Sequence, residues 1–184
     1  MSNKNFIVIE GVDGSGKTTI AKLLSEKLFY LYYKTPGGFW KRYRELFEKT
    51  SVKIRFLYYF FSTLADSLKI KLFLQQKGIV CDRYIYSTWA HHIVYGLPSL
   101  LRIPYPTVFF KEPDYVFYLY VDPSERAQRI QLRTGNNVKD YDDKAIALVD
   151  GIFRDLFPEM YIIDTTNLTP EEVTSKILNI IKLT

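Results

Sequence analysis

The stretch Phe6 to Thr19, F-I-V-I-E-G-V-D-G-S-G-K-T-T, constrains this chain more than any other. Four apolar residues, Phe6 to Ile9, predict a short buried strand; Gly11, Gly14 and Gly16 predict a loop, and a helical pattern begins at Lys17. Gly11 to Thr18 fits G-x-x-x-x-G-K-[ST], the signature of a loop that cradles phosphate. Glycines let backbone N–H groups turn inward, and the following helix aims the positive end of its dipole at the same point. Gly11, Asp13, Gly14, Ser15, Gly16, Lys17, Thr18 and Thr19 are therefore the expected nucleotide cradle. Lys17 is expected to meet the outer phosphates of the bound ligand as a point charge, and the Thr18 hydroxyl to ligate a Mg²⁺ that bridges two of them.

Strand and helix patterns alternate through the remainder. A helix is predicted over Lys17 to Leu28, with Ile20, Leu23, Leu24 and Leu28 on one face, and a second strand over Phe29 to Lys34. Thr35-Pro36-Gly37-Gly38 breaks regular structure, Phe39 to Lys49 reads as helix, and Val52 to Gln76 as a long one. The first half of that helix, Phe56 to Phe61, is apolar around nearly its whole circumference, which predicts a subunit interface over residues 52–65 and hence a homodimer. Ile79 to Cys81 is a third strand, Tyr84 to Tyr95 a helix, and Gly96 to Lys111, with three prolines, a loop. Tyr115 to Val121 is a fourth strand. The helix after Asp122 and Pro123 ends at Gly135-Asn136-Asn137; Asp140 to Leu156 is helical, Met160 to Asp164 a fifth strand, and Thr169-Pro170 opens a last helix. The alternation predicts a three-layer α/β/α fold on a five-stranded parallel sheet, with residues 1–184 forming one domain.

Two further groups of residues carry chemistry. Asp82 stands at the predicted end of the third strand, placed to hold a metal-bound water or accept a proton, with Arg83 beside it to grip a phosphate. Arg126, Arg129 and Arg133 recur at helical spacing before the small, polar segment Thr134 to Lys139. This predicts a lid over about residues 126–140 in which Arg129 and Arg133 neutralise charge on the transferring group. Lys17, Asp82, Arg129 and Arg133 are the expected catalytic residues, and Thr18 and Asp82 the expected metal ligands.

Composition sets the class of partner. The formal net charge of +5 favours polyanions, but no basic stripe interleaved with aromatics is visible, so nucleotides are favoured over nucleic acid. A single cysteine, Cys81, leaves no internal disulfide; with no signal-peptide core and no apolar run of membrane-spanning length, a cytoplasmic protein is expected. A guanine-reading N-K-x-D is not present, which argues against a GTPase switch.

Assembled, these segments resemble the thymidylate kinase family of P-loop nucleoside monophosphate kinases. The likeness runs from the phosphate loop through T-P-G-G, D-R-Y-I-Y-S, R-A-Q-R-I-Q-L-R and I-D-T-T, nearly the full length. It implies Mg²⁺- and ATP-dependent phosphoryl transfer to a nucleoside monophosphate, dTMP first. It implies that Asp13 contacts the sugar 3′-hydroxyl or helps order the metal, that Arg83 binds the acceptor phosphate, and that Asp164 to Leu168 flank the adenine. Phe39, Ser87 and His92 join Asp13 and Arg83 as expected substrate contacts. The chain also departs from the family pattern. Lys34-Thr35-Pro36-Gly37-Gly38-Phe39 stands where R-E-P-G-G-T is usual, His91-His92 where Tyr-Gln is usual, and Thr63 and Ser67 where a Phe and an Arg read the base. A deoxynucleoside kinase with Asp82 as base, and a nucleotide-binding module without kinase activity, are the alternatives.

Overall fold

A computed structural model describes residues 4–97, 109–134, 143–157 and 159–183. Five parallel strands, β1 (Phe6–Gly11), β2 (Leu31–Lys34), β3 (Ile79–Asp82), β4 (Tyr115–Tyr120) and β5 (Tyr161–Asp164), form one sheet in the order β2-β3-β1-β4-β5. The helices are α1 (Lys17–Leu28), α2 (Gly38–Glu48), α3 (Val52–Leu74), α4 (Ile85–Val94), α5 (Pro123–Thr134), α6 (Asp143–Leu156) and α7 (Pro170–Leu183). The central strands are apolar almost throughout because a parallel sheet with helices on both faces must bury both rows of side chains. Ile7, Ile9, Val80, Phe117 and Leu119 face α1 and α7, packing on Ile20, Leu24, Val173 and Ile177. Phe6, Val8, Cys81, Val116 and Tyr118 face the opposite layer, where Phe56 and Ile70 of α3, Trp89 of α4 and Phe153 of α6 cover them. The predicted three-layer α/β/α architecture is the observed one.

The boundaries shift by one or two residues where caps decide them. Phe29, expected in the second strand, instead closes α1 in the left-handed region at φ 56°, with the Tyr30 N–H donating to the Ser25 carbonyl at 2.8 Å. A helix ended this way satisfies its last carbonyls and turns the chain toward the sheet, so pairing begins only at Leu31. Likewise α3 ends at Leu74, two residues short of expectation. The predicted loop at Pro98, Pro104 and Pro106, the lid residues 135–140 with the stop at Gly135-Asn136-Asn137, and the helix start at Asp140 lie outside the described residues.

Register fixes what meets at the C-terminal edge of the sheet. Ile9 of β1 and Lys34 of β2 both pair with Asp82 of β3, and Gly11 pairs with Leu119 of β4. The ends of β1, β2 and β3 therefore converge where the phosphate loop leaves β1, the edge at which open parallel sheets bind ligands.

Candidate active site

The phosphate loop owes its shape to close approach. A Cβ on Gly11 (φ +146°) would lie 2.6 Å from the Leu119 carbonyl oxygen, and one on Gly14 (φ +89°) 2.8 Å from Arg126 Cγ, because α5 packs directly on the loop. Gly16 caps α1 at φ 90°, and its carbonyl accepts the Ile20 N–H at 3.0 Å. Lys17 is buried, donates to the Val12 carbonyl at 2.5 Å and lies 3.8 Å from Asp13. Burial and the nearby Arg83 charge depress its pKa to about 7, against the pull of Asp13, Asp82 and Glu10. Thr19 stays exposed on the first turn of α1.

Asp82, fully buried at the end of β3, collects three donors on one oxygen. Its Oδ2 accepts from Thr18 Oγ1 at 2.6 Å, Lys34 Nζ at 2.6 Å and Tyr32 Oη at 3.1 Å. Burial works to raise this carboxyl, but the Lys34 and Thr18 hydrogen bonds and the Lys34 and Lys17 charges hold it below the usual carboxylate value. Its buried Oδ1 has no hydrogen-bond partner among the described residues. A bare carboxylate oxygen beside a threonine hydroxyl is a hard-oxygen donor set of the kind that Mg²⁺ takes when phosphates supply its other ligands.

Glu10, which the sequence reading passed over, joins the phosphate loop to the turn after β3. It has no exposed surface, and its Oε1 accepts the backbone N–H of Tyr84 at 2.8 Å and of Ser87 at 3.2 Å, while the Ser87 hydroxyl donates to Oε2. Burial raises its pKa to about 7, against the lowering effect of the Ser87 hydrogen bond and the Arg83 charge. The only signal in the sequence was one acid inside an otherwise apolar strand. The turn it holds places Arg83 at φ 71°, a left-handed conformation, with its N–H on the Ile9 carbonyl at 3.0 Å. From there Arg83 reaches Asp13 at 2.5 Å and Ser87 Oγ at 3.2 Å. Burial works to raise Asp13, but Arg83, then Lys17, His91 and Arg133, keep it well below the ordinary carboxylate range.

Asp13, Arg83 and Ser87 line a cavity of about 460 Å³. Arg44, Glu48, Arg55 and Tyr59 line it too; Glu48 accepts from Arg44 Nε at 3.4 Å and from the Tyr59 hydroxyl. His91 and His92 also line it. Burial first, then the Arg83 charge, lowers His91 to about 3, and burial first, then Arg55, lowers His92 to about 4, so both rings are neutral near pH 7. His92 Nδ1 lies 2.7 Å from the Thr88 carbonyl, which makes that nitrogen the protonated donor. Of the two positions that the resemblance aligned with base contacts, Thr63 lines the cavity, whereas Ser67 Oγ accepts the Lys111 N–H at 2.6 Å. Phe39 is not among the lining residues; it is 64% exposed on α2, against Tyr43 and Trp40. Asp66, also missed, binds the Gly37 N–H and the Tyr33 hydroxyl, each at 2.7 Å, and so ties the loop before α2 to α3.

The α5 arginines have separate tasks. Arg129 donates to the Thr165 and Thr166 carbonyls at 2.7 and 3.1 Å and pairs with Glu125 at 2.8 Å, clamping the loop after β5. Arg126 is buried against the phosphate loop, and Arg133 is exposed but close enough to lower the pKa of Asp13.

Comparison with known proteins adds to this geometry. Residues 9–177 match the family described as thymidylate kinase. A probable thymidylate kinase of Methanocaldococcus jannaschii is 35% identical over 193 residues, spanning 99% of this chain and 98% of the relative. One of Methanococcus vannielii is 33% identical, spanning 94% and 92%. Among solved structures, a thymidylate kinase of Ehrlichia chaffeensis superposes with a TM-score of 0.70 at 26% identity, covering 96% of this chain and 98% of that one. A thymidylate kinase of Candida albicans gives a TM-score of 0.72 at 21% identity, covering 97% and 91%, and shares the fold.

The raised pKa of Glu10 gives stability a definite pH dependence. Its folded value of about 7 exceeds the ordinary 4.5, so the stability it contributes is fully present below pH 4.5 and lost as pH rises through about 7. Glu10→Gln keeps an acceptor for the two N–H groups and does not titrate. Denaturant unfolding at about pH 5 and about pH 8 is expected to show the unsubstituted protein losing on the order of 2 to 3 kcal/mol relative to Glu10→Gln. Parallel pH profiles for the two proteins contradict the assignment.

Proposed function

The chain belongs to the thymidylate kinase family, and from that premise we propose that it transfers the γ-phosphoryl group of ATP to a nucleoside monophosphate, dTMP before others. The observation that carries this reading is the place of Arg83. Its guanidinium lies 2.5 Å from Asp13 of the phosphate loop and lines the 460 Å³ cavity, beside the place an acceptor phosphate takes for in-line transfer. A kinase acting on a nucleoside hydroxyl needs no such anion grip.

The roles of the residues follow from their chemistry. Backbone N–H groups of residues 11–18 and the α1 N-terminus take the ATP phosphates, and Lys17 trades the Val12 carbonyl for a phosphate oxygen. Added negative charge favours the protonated form of a lysine whose pKa is depressed to about 7. Thr18 and Asp82 would hold Mg²⁺, which when bound supplies charge neutralisation across the donor phosphates. Arg83 turns from Asp13 to the acceptor phosphate, with Ser87 beside it, and Asp13 is then available to a sugar hydroxyl. Arg133 lies on the Asp13 side of the loop and Arg129 fixes the segment 164–168 proposed to flank the adenine. His92 and Thr63 line the cavity and are the side chains offered to the base.

The reading includes a cytoplasmic homodimer. Ile54, Leu57, Phe61, Leu68 and Leu72 are all exposed on α3 at helical spacing, an apolar stripe suited to a second copy of the same helix. Among the described residues no helix is long and apolar enough to cross a membrane.

Two experiments test this. ADP release is measured with Mg-ATP against a panel of nucleosides and nucleoside monophosphates. Highest turnover on dTMP is expected, with kcat reduced about 100-fold or more in Lys17→Ala and a KM for dTMP raised to a similar degree in Arg83→Ala. Turnover on nucleosides that is indifferent to Arg83→Ala overturns the proposal in favour of a nucleoside kinase. Sedimentation equilibrium is expected to give a dimer that Phe61→Lys converts to a folded monomer; a monomeric parent protein removes the dimer from the account.

A further inference from the structure

A lysine already touches both of the residues given to the metal. Lys34 Nζ lies 2.6 Å from Asp82 Oδ2 and 3.1 Å from Thr18 Oγ1. The placement is built into the sheet: Lys34 of β2 is the direct register partner of Asp82 of β3. Asp82 is fully buried, and an unpaired buried carboxylate is costly; this ammonium is the cation in direct contact with it, with the Lys17 charge adding at longer range. Lys34 itself is 43% exposed on a flexible stem and also borders the acceptor cavity, so the same side chain has a second place to go. Mg²⁺ binds oxygen at about 2.0–2.1 Å. A metal on Asp82 and Thr18 would therefore lie within a few ångströms of the ammonium, where two cations repel strongly.

We propose that Lys34 is a resident counter-cation: it occupies the cation position of the metal-free protein, lowers the affinity of the Thr18–Asp82 pair for divalent metal, and leaves for the acceptor cavity when the metal enters. The inference rests on the metal assignment made above, and its test separates the two. Mn²⁺ binding to the protein–ADP complex is titrated by electron paramagnetic resonance for the parent protein, Lys34→Met, Lys34→Gln and Asp82→Asn, with circular dichroism and thermal unfolding as checks on folding. Removing the lysine charge is expected to tighten Mn²⁺ binding about tenfold in both Lys34 variants, while Asp82→Asn weakens it. Unchanged or weaker binding in the Lys34 variants, alongside weakened binding in Asp82→Asn, overturns the counter-cation role alone. Parental affinity in Asp82→Asn overturns the metal assignment and, with it, the proposal.

Discussion

The buried carboxylate of Glu10 is the joint on which the site depends. It sits at the end of β1, one residue before Gly11, and accepts the Tyr84 N–H from the turn after β3 and the Ser87 N–H and hydroxyl from the first turn of α4. Unsatisfied, those groups would each cost about 1–3 kcal/mol in a dry interior. The left-handed Arg83 between the two strand ends is held from both sides, by the Ile9 carbonyl before Glu10 and by the Tyr84 amide after it. The phosphate loop and the arginine turn therefore form one rigid unit, although 70 residues separate Asp13 from Arg83 in the chain. Both carboxylate oxygens are engaged and out of reach of a substrate, so Glu10 positions the reacting partners rather than touching them.

Much of this was legible in the sequence wherever a local pattern has only one structural outcome. The phosphate loop, the alternation of strand and helix, and Asp82-Arg83 at a strand end all follow from short-range rules, and each stands where those rules put it. What stayed hidden was long-range pairing. Nothing in the residues around Lys34 reports that sheet register will set it opposite Asp82. Asp66 reads as a helix charge until the fold brings the Gly37 amide and the Tyr33 hydroxyl to it. Arg129 shares a helical face with Arg133 in the sequence pattern, yet the loop after β5 supplies carbonyls only to the first. Phe29 was drawn into a strand by its apolar neighbours, because the capping need of α1 is not visible in hydrophobicity.

Five cations of the site each have a carboxylate beside them. Lys17 and Arg83 share Asp13, Lys34 serves Asp82, and Arg44 and Arg55 share Glu48. These contacts offset the cost of burying charge, and with three carboxylates for five cations they leave a positive excess for phosphate to neutralise.

Substrate binding then consists of an exchange of protein partners for phosphate oxygens. A crystal structure of the chain with ADP, Mg²⁺ and dTMP observes it directly. Lys17 is expected to be drawn from the Val12 carbonyl to the nucleotide phosphates, and Arg83 from Asp13 to the phosphate of dTMP in the cavity. A complex in which dTMP is bound elsewhere, with the Arg83–Asp13 pair intact, would contradict it.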